Sequence, residues 1–329
     1  MPDSSIKVSG CYTPTSVHTR GGPLLSGTLT DMIASLSESY PWSKGSINRM
    51  GDAIRDGEAF DEDLYADWIL WHTELIELVE DIVQSGVDAF IERVSGQPQY
   101  LYGFEDDSNT ILSSRVKTDD TTREKLQRQH TDLARIQDIA GLRIDGAFTL
   151  SGQELLADSL MESLYAAGSV RVVKRDLRES PHSGYRAVHL HVKAPAGLLE
   201  IQIRTQSQSH WANLYETVGD LLGREVRYID AADGPAGEVL SQLWKFSADA
   251  YENEKNWIGV QGLVERTEAL TENRALSDDQ LTEAQQLAEE VAAIQRRFGR
   301  QITEQVEYFA QQRGRLEKLR DTQSKEERS

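Results

Sequence analysis

With 329 residues and a formal net charge of -19, from 54 acidic and 35 basic side chains, the chain can bury a full core divided among two or more units. That acidity excludes a protein that coats nucleic acid over its whole surface, because phosphate binding runs on Lys and Arg. A single cysteine, Cys11, excludes an internal disulfide and a cysteine-rich zinc site. No apolar run reaches the roughly eighteen residues that a membrane helix needs, so a soluble cytoplasmic protein is expected.

Residues 1–25 are rich in Ser, Thr, Pro and Gly and read as a flexible lead. A helical region is expected over 26–95. Its spacing begins at Leu29, Met32, Ile33 and Leu36, and a stronger helix runs from Asp61 to about Phe90. On that helix Leu64, Trp68, Leu70, Trp71, Leu75, Leu78, Ile82 and Val87 form the apolar stripe, with the tryptophans as packing anchors. The acidic runs Glu58 to Asp67 and Glu74 to Asp81 read as solvated faces.

Ile111 to Lys117 reads as a strand that puts Arg115 and Lys117 on one face. Thr118-Asp119-Asp120-Thr121 then supplies capping residues for a helix on which Thr121 and Lys125, four apart, share a side, with Arg128 beyond. Cations converging at a helix N-terminus favour an anion, and phosphate is the natural guest. Asp138 leads into a strand carrying Arg143 opposite Leu142 and Ile144. Ser151 to Glu154 has the form of a capping box before a helix that Gly168 ends, and Arg171 to Lys174 makes another strand. Strand, helix, strand predicts a parallel pair. Lys174 to Gly184, with Arg175, Asp176, Arg178, Pro181 and His182, reads as a polar lid.

Gly184 to Thr205 is the densest stretch. Alternation puts Tyr185, Ala187, His189 and His191 on one face and Val188, Leu190 and Val192 on the other. After the turn at Lys193 to Gly197, Glu200, Gln202 and Arg204 oppose Leu199, Ile201 and Ile203. One side can seat on a core; the other gathers an aromatic ring, an imidazole, a carboxylate, an amide and a guanidinium. A helix from Gln206 to Leu222 follows, ended by Gly223. Residues 231–329 read as wholly helical. Their last helix starts at a Ser277/Gln280 capping box and carries a stripe of Leu287, Val291, Ile294, Phe298, Ile302, Val306 and Phe309 that spans roughly 60 Å. That stripe suits packing on the core or pairing with a second copy or another protein.

The fold class expected is α+β, a mixed sheet with helical N- and C-terminal flanks. Asp138 and Glu200, about sixty residues apart in strand context, suit metal-bridged catalytic acids. With Arg115, Lys117 and Lys125 for phosphates and Tyr185 as a stacking platform, the set suits phosphoryl or pyrophosphoryl transfer, which needs positioning and charge neutralisation. No Gly-rich loop ending in Gly-Lys-Ser or Gly-Lys-Thr is present.

The order Arg115-Val116-Lys117, Thr121, Lys125, Asp138-Ile139-Ala140-Gly141-Leu142-Arg143, Gly184-Tyr185-Arg186 with His189, and Glu200-Ile201-Gln202-Ile203-Arg204-Thr205 with Trp211-Ala212 resembles the synthetase domain of the RelA/SpoT family, over about residues 96–230. The resemblance implies a nucleotidyltransferase-like fold and transfer of the β,γ-pyrophosphate of ATP to the 3′-hydroxyl of GDP or GTP, making (p)ppGpp. It implies that Arg115 and Arg143 sandwich adenine, that Lys117 and Lys125 hold phosphates, and that Asp138 and Glu200 bind Mg²⁺, with Glu200 also the base. Thr121, Lys174, Tyr185, His189, Gln202 and Arg204 complete the nucleotide sites, Tyr185 by stacking on guanine. Thr121 stands where the family often has Ser, and Tyr215-Glu216 where many members carry a Glu-His pair. The adjacent His-Asp of the family's hydrolase domain is absent, so the product would not be removed. Two other readings stay open. One is a toxin-type relative that pyrophosphorylates the 3′ end of tRNA or makes adenosine alarmones, for which Arg171 to Arg178 or Arg296 to Arg313 would seat tRNA. The other is a nucleotide sensor without catalysis.

Overall fold

A computed structural model describes residues 33–102, 110–223, 234–273 and 275–326. The flexible lead over 1–25, and Leu29 and Met32 of the first expected helix, lie outside the described residues. Ile33 and Leu36 are buried but lie outside any helix, Leu36 in a turn. The first helix, α1, is Lys44–Asp56, which the sequence pattern does not announce, and α2 is Glu62–Val94. The Asp61 carboxylate starts α2 by accepting from the Leu64 amide at 3.0 Å, with Glu62 and Asp63 favourable in the first turn. Trp68, Trp71, Leu75, Val79, Val83, Val87 and Phe90 bury one side of it, whereas Leu70, expected on the stripe, is 43 % exposed.

A mixed five-stranded sheet follows, made of β1 (Ile111–Val116), β2 (Ala140–Gly146), β3 (Arg171–Asp176), β4 (Val188–Ala194) and β5 (Gly197–Thr205) in the order β1-β2-β5-β4-β3. The structure is α+β with helical flanks, as expected. The parallel pair is β2 with β5, not β2 with β3. The crossover through α4 (Leu150–Ala166) delivers β3 to the far edge, and the β4–β5 hairpin fills the space between. Thr149, not Ser151, caps α4, its hydroxyl accepting from the Gly152 amide at 3.1 Å.

One sheet face is aliphatic. Rows such as Leu112, Ile144, Ile203 and Val188, and Leu142, Ile201 and Leu190, run across it, all buried beneath α2 and α4. The hairpin turn is pinned from that side, where Trp71 Nε1 donates to the Ala196 carbonyl at 2.7 Å. The other face is left for chemistry. At one margin lies α3 (Asp119–Gln129), packed through Leu126 on Ile47, Met50 and Ile54 of α1. At the opposite margin lies α5 (Gln206–Leu222), started by a Thr205/Gln208 capping box.

The C-terminal helices α6 (Pro235–Thr271) and α7 (Asp278–Glu326) pack on α5, where Trp211, Leu214, Leu240, Leu243 and Phe309 share a cluster. The Ser277/Gln280 capping box is present. At 49 residues α7 is about 74 Å long. Ile302 and Phe309 of its stripe are buried, while Leu287 and Ile294 remain 44 % and 40 % exposed. No helix among the described residues is long and apolar enough to cross a membrane.

Candidate active site

Strand register builds the site. Across the polar face, Arg115 of β1, Gly141 of β2, Glu200 of β5 and His191 of β4 stand in one row. The next row holds Ser113, Arg143, Gln202, His189 and, on β3, Arg175. Gly141 puts no side chain between Arg115 and Glu200, so a cleft opens there. Arg115, Asp138, Arg143, Glu200 and Gln202 line it.

Two anionic centres anchor the cleft. Asp138, on the loop entering β2, sits 3.1 Å from Lys117 Nζ and 2.5 Å from Lys125 Nζ. Burial raises its pKa, but the two ammoniums outweigh that and hold the carboxyl below its ordinary range. Glu200 is buried, and His189 Nδ1 and His191 Nε2 each lie 3.1 Å from its Oε1 while Gln202 Nε2 donates to its Oε2 at 2.8 Å. Burial again works against ionisation, and the imidazole contacts again prevail, so the carboxyl is held well below its usual range. The cations face the reverse pressure. Burial and the neighbouring Arg143 lower the Arg115 pKa, and burial lowers that of Lys117 although Asp138 opposes it. Such a cluster gains from an incoming polyanion that pays the desolvation already incurred.

Tyr185 reaches the same network from the turn before β4. Its Oη is 3.0 Å from His189 Nε2 and 3.3 Å from Gln202 Oε1, and its pKa is pushed up to about 12, chiefly by burial. Gly184, at φ +81°, allows that turn; a Cβ there would stand 2.9 Å from the Trp211 ring. The α6 helix clasps the turn, with Ser247 Oγ donating to the Gly184 carbonyl and Arg186 lying 4.5 Å over the Tyr251 ring.

The structure thus brings together Arg115, Lys117, Lys125, Asp138, Arg143, Tyr185, His189, Glu200 and Gln202. Thr121 lies one turn before Lys125 on α3, its hydroxyl donating to the Thr118 carbonyl at 2.9 Å. Arg204 shares the face but is consumed by Asp145, with bonds of 2.8 and 2.9 Å to both carboxylate oxygens. Lys174 is not in the group. It stands in register with Leu190, on the aliphatic side, and binds Glu154 and Asp158 of α4, the latter at 2.6 Å. Arg175 occupies the active face instead, because side chains alternate along β3. The expected lid is also corrected: Arg178 is buried and fastened to Asp176, Glu154, Leu150 and Gln153. Residues not singled out for chemistry include His191, whose alternation with His189 was the available signal, and Gly141, a glycine inside a strand. Glu216 of α5, marked in the sequence only as a departure from the family's Glu-His pair, lies 3.5 Å from Arg143, a pairing without a sequence signal since helix and strand meet only in the fold.

A sheet face carrying two ionised acids among basic side chains defines a candidate phosphoryl-group-handling site. Residues 114–218 match the family model described as "Region found in RelA / SpoT proteins". The chain belongs to the RelA/SpoT family. It is similar to uncharacterized proteins of Mycobacterium bovis and Mycobacterium tuberculosis, each 37 % identical over 236 residues, covering 68 % of this chain and 79 % of the relative. Among solved structures, the complex between a type VI effector and its immunity protein overlaps 69 % of this chain and 96 % of that one at 14 % identity and a TM-score of 0.23, an overlap too slight to bear on fold or function.

Proposed function

We propose that the cleft transfers the β,γ-pyrophosphate of ATP to the 3′-hydroxyl of GDP or GTP, giving (p)ppGpp and AMP. The observation that carries this reading is the pair of adjacent rows, Arg115-Gly141-Glu200-His191 and Arg143-Gln202-His189, flanked by Asp138 with its two lysines. Arg115 and Arg143, diagonal neighbours on β1 and β2, present guanidinium groups between which a purine can stack. Lys117 and Lys125 exchange Asp138 for the phosphates. Tyr185 covers the acceptor base, with His189 and Gln202 setting its orientation. Lys174 and Arg204, in this reading, brace the sheet.

Asp138 and Glu200 offer hard carboxylate oxygens, both held ionised, to the one cleft, which is a donor set that fits Mg²⁺. When bound, that ion would neutralise charge on the phosphates. The acceptor oxygen attacks the β-phosphorus, the bond from that phosphorus to the oxygen of AMP breaks, and the hydroxyl proton passes to Glu200. A carboxylate with so low a pKa is a weak base. A loose transition state asks little of it, because proton loss lags bond breaking.

Incubating the full chain with Mg²⁺, ATP labelled at the β-phosphorus and, separately, GDP, GTP, AMP or tRNA tests the reading. Label on GDP or GTP with release of AMP is expected. Label on tRNA or AMP alone would overturn the acceptor assignment, and no transfer to any acceptor would overturn the activity.

A further inference from the structure

His189, His191 and Glu200 are the only group of three metal-capable side chains found among the described residues, their ligand atoms all within 4.8 Å of one another. We propose that these three hold a divalent transition-metal ion of the zinc or cobalt class, at a site that shares Glu200 with the magnesium set and adds two nitrogen ligands to it. The spacing fits. Bonds of about 2.0–2.2 Å in a tetrahedral shell place neighbouring ligand atoms about 3.3–3.6 Å apart, and both imidazole nitrogens lie within a few tenths of an ångström of that, 3.1 Å from Glu200 Oε1. Two imidazoles and one carboxylate suit zinc or cobalt, whereas Mg²⁺ prefers oxygen and water.

Proton counting is compatible with such an ion. Gln202 gives its Nε2 to Glu200, so its Oε1 faces the Tyr185 hydroxyl as an acceptor. That hydroxyl has one proton. Given to Gln202, it leaves the phenol oxygen to accept from His189 Nε2–H, and in a neutral imidazole Nδ1 then meets Glu200 Oε1 lone pair to lone pair. A cation between those atoms, a metal ion or a second proton on the imidazole, resolves the conflict, and the metal is favoured by His191 Nε2 standing at the same 3.1 Å from the same oxygen. Tyr185 and Gln202 thereby form the outer contacts that hold a ligating imidazole in one tautomer and orientation. His191 supplies the second nitrogen from the neighbouring row, and burial of His189 and Glu200 excludes competing water.

Its effect on transfer rests on the function proposed above: an ion at the imidazole pair occupies Glu200, so Zn²⁺ should inhibit even with Mg²⁺ in excess. The binding test does not need that function. Full-length, nucleotide-free protein is titrated with Co²⁺ and the visible ligand-field bands are recorded. A single ion per chain is expected, displaced by Zn²⁺ and not by Mg²⁺, with affinity at least about tenfold weaker in H191A. X-ray absorption of the zinc-loaded wild type, which needs no variant, should count two imidazole nitrogens. Absence of Co²⁺ binding, H191A binding as tightly as wild type, or an oxygen-only shell would each overturn the site. Binding without transfer would sink only the proposed function, and transfer without Co²⁺ binding only this inference.

Discussion

Replacing Arg178 by methionine would remove the centre of the fastening under the acceptor turn. The residue is 8 % exposed, and its guanidinium binds Asp176 through Nε at 2.9 Å and Nη2 at 2.5 Å, Glu154 Oε2 at 2.5 Å, and the Leu150 carbonyl at 3.1 Å. Breaking a buried ion pair costs about 3–5 kcal/mol when the abandoned partner stays dry. Here Glu154 and Asp176 are 39 % and 41 % exposed, so water recovers part of that loss. Lys174 also stays beside Glu154. A destabilisation of about 2 kcal/mol follows, read as a shift of the urea midpoint at unchanged slope. The Arg178 carbonyl also accepts from Arg186, next to Tyr185, so the KM for the guanine nucleotide should rise about tenfold while that for ATP holds. A loss below about 0.5 kcal/mol, the range of surface changes, would refute the claim that this loop is fastened rather than free to close. Equal rises in both KM values would refute its coupling to the acceptor side.

Glu200→Gln keeps the shape but removes the charge that two imidazoles face and that would hold Mg²⁺ as well as take the proton, and transfer should fall about 10²–10⁴-fold in single-turnover assays; activity within threefold of wild type would remove Glu200 from the reaction. Because its native pKa is depressed, its contribution to stability is present above the unfolded value of 4.5 and is lost as pH falls below that, which acid titration of wild type against the variant reads directly. Glu216→Gln releases Arg143 from a half-exposed partner, so stability should change by under about 0.5 kcal/mol and the KM for ATP should fall two- to threefold, about the same energy. Glu254 of α6 has the opposite sign. Burial lifts its pKa to about 7 against bonds from Thr205 and Gln208, so stability is complete below pH 4.5 and roughly 3 kcal/mol is lost as pH rises to about 7. Glu254→Gln should abolish that slope in thermal melts between pH 5 and 8, and a slope that persists would place its origin elsewhere.

What the sequence made legible was what short-range physics controls. The period of two along 188–192 and 199–203 assigned both faces of the hairpin correctly, and Asp61, Ser277 and Gly223 marked helix ends where the caps are found. Long-range pairing was not legible: β3 goes to the edge beside β4, which turns Lys174 towards α4 and Arg175 towards the cleft. The missed α1 has a physical cause too. Its core face is only Ile47, Met50 and Ile54, and its Gly51, which argues locally against helix, is required because a Cβ there would stand 2.5 Å from Leu133 Cβ. Nor could Arg178 be told from a solvated loop arginine, since its partners lie on α4 and its burial exists only once β3 is docked.

Core and chemistry are bound by one constraint. A strand slipped by one residue exchanges its two faces, so a slip of β5 against β4 would bring Leu199 and Ile201 to the cleft and drive Glu200 and Gln202 under α2 and α4. The aliphatic rows forbid this, since Ile201 and Leu190 are wholly buried and have no other place to go. The 3.1 Å approach of both imidazoles to Glu200 is therefore set by packing on the far side of the sheet, through a register that the carboxylate and imidazoles do not themselves determine. Ile201→Ala leaves every polar group in place, so a loss of transfer beyond its cost in stability would measure how tightly the hydrophobic face holds the reacting one.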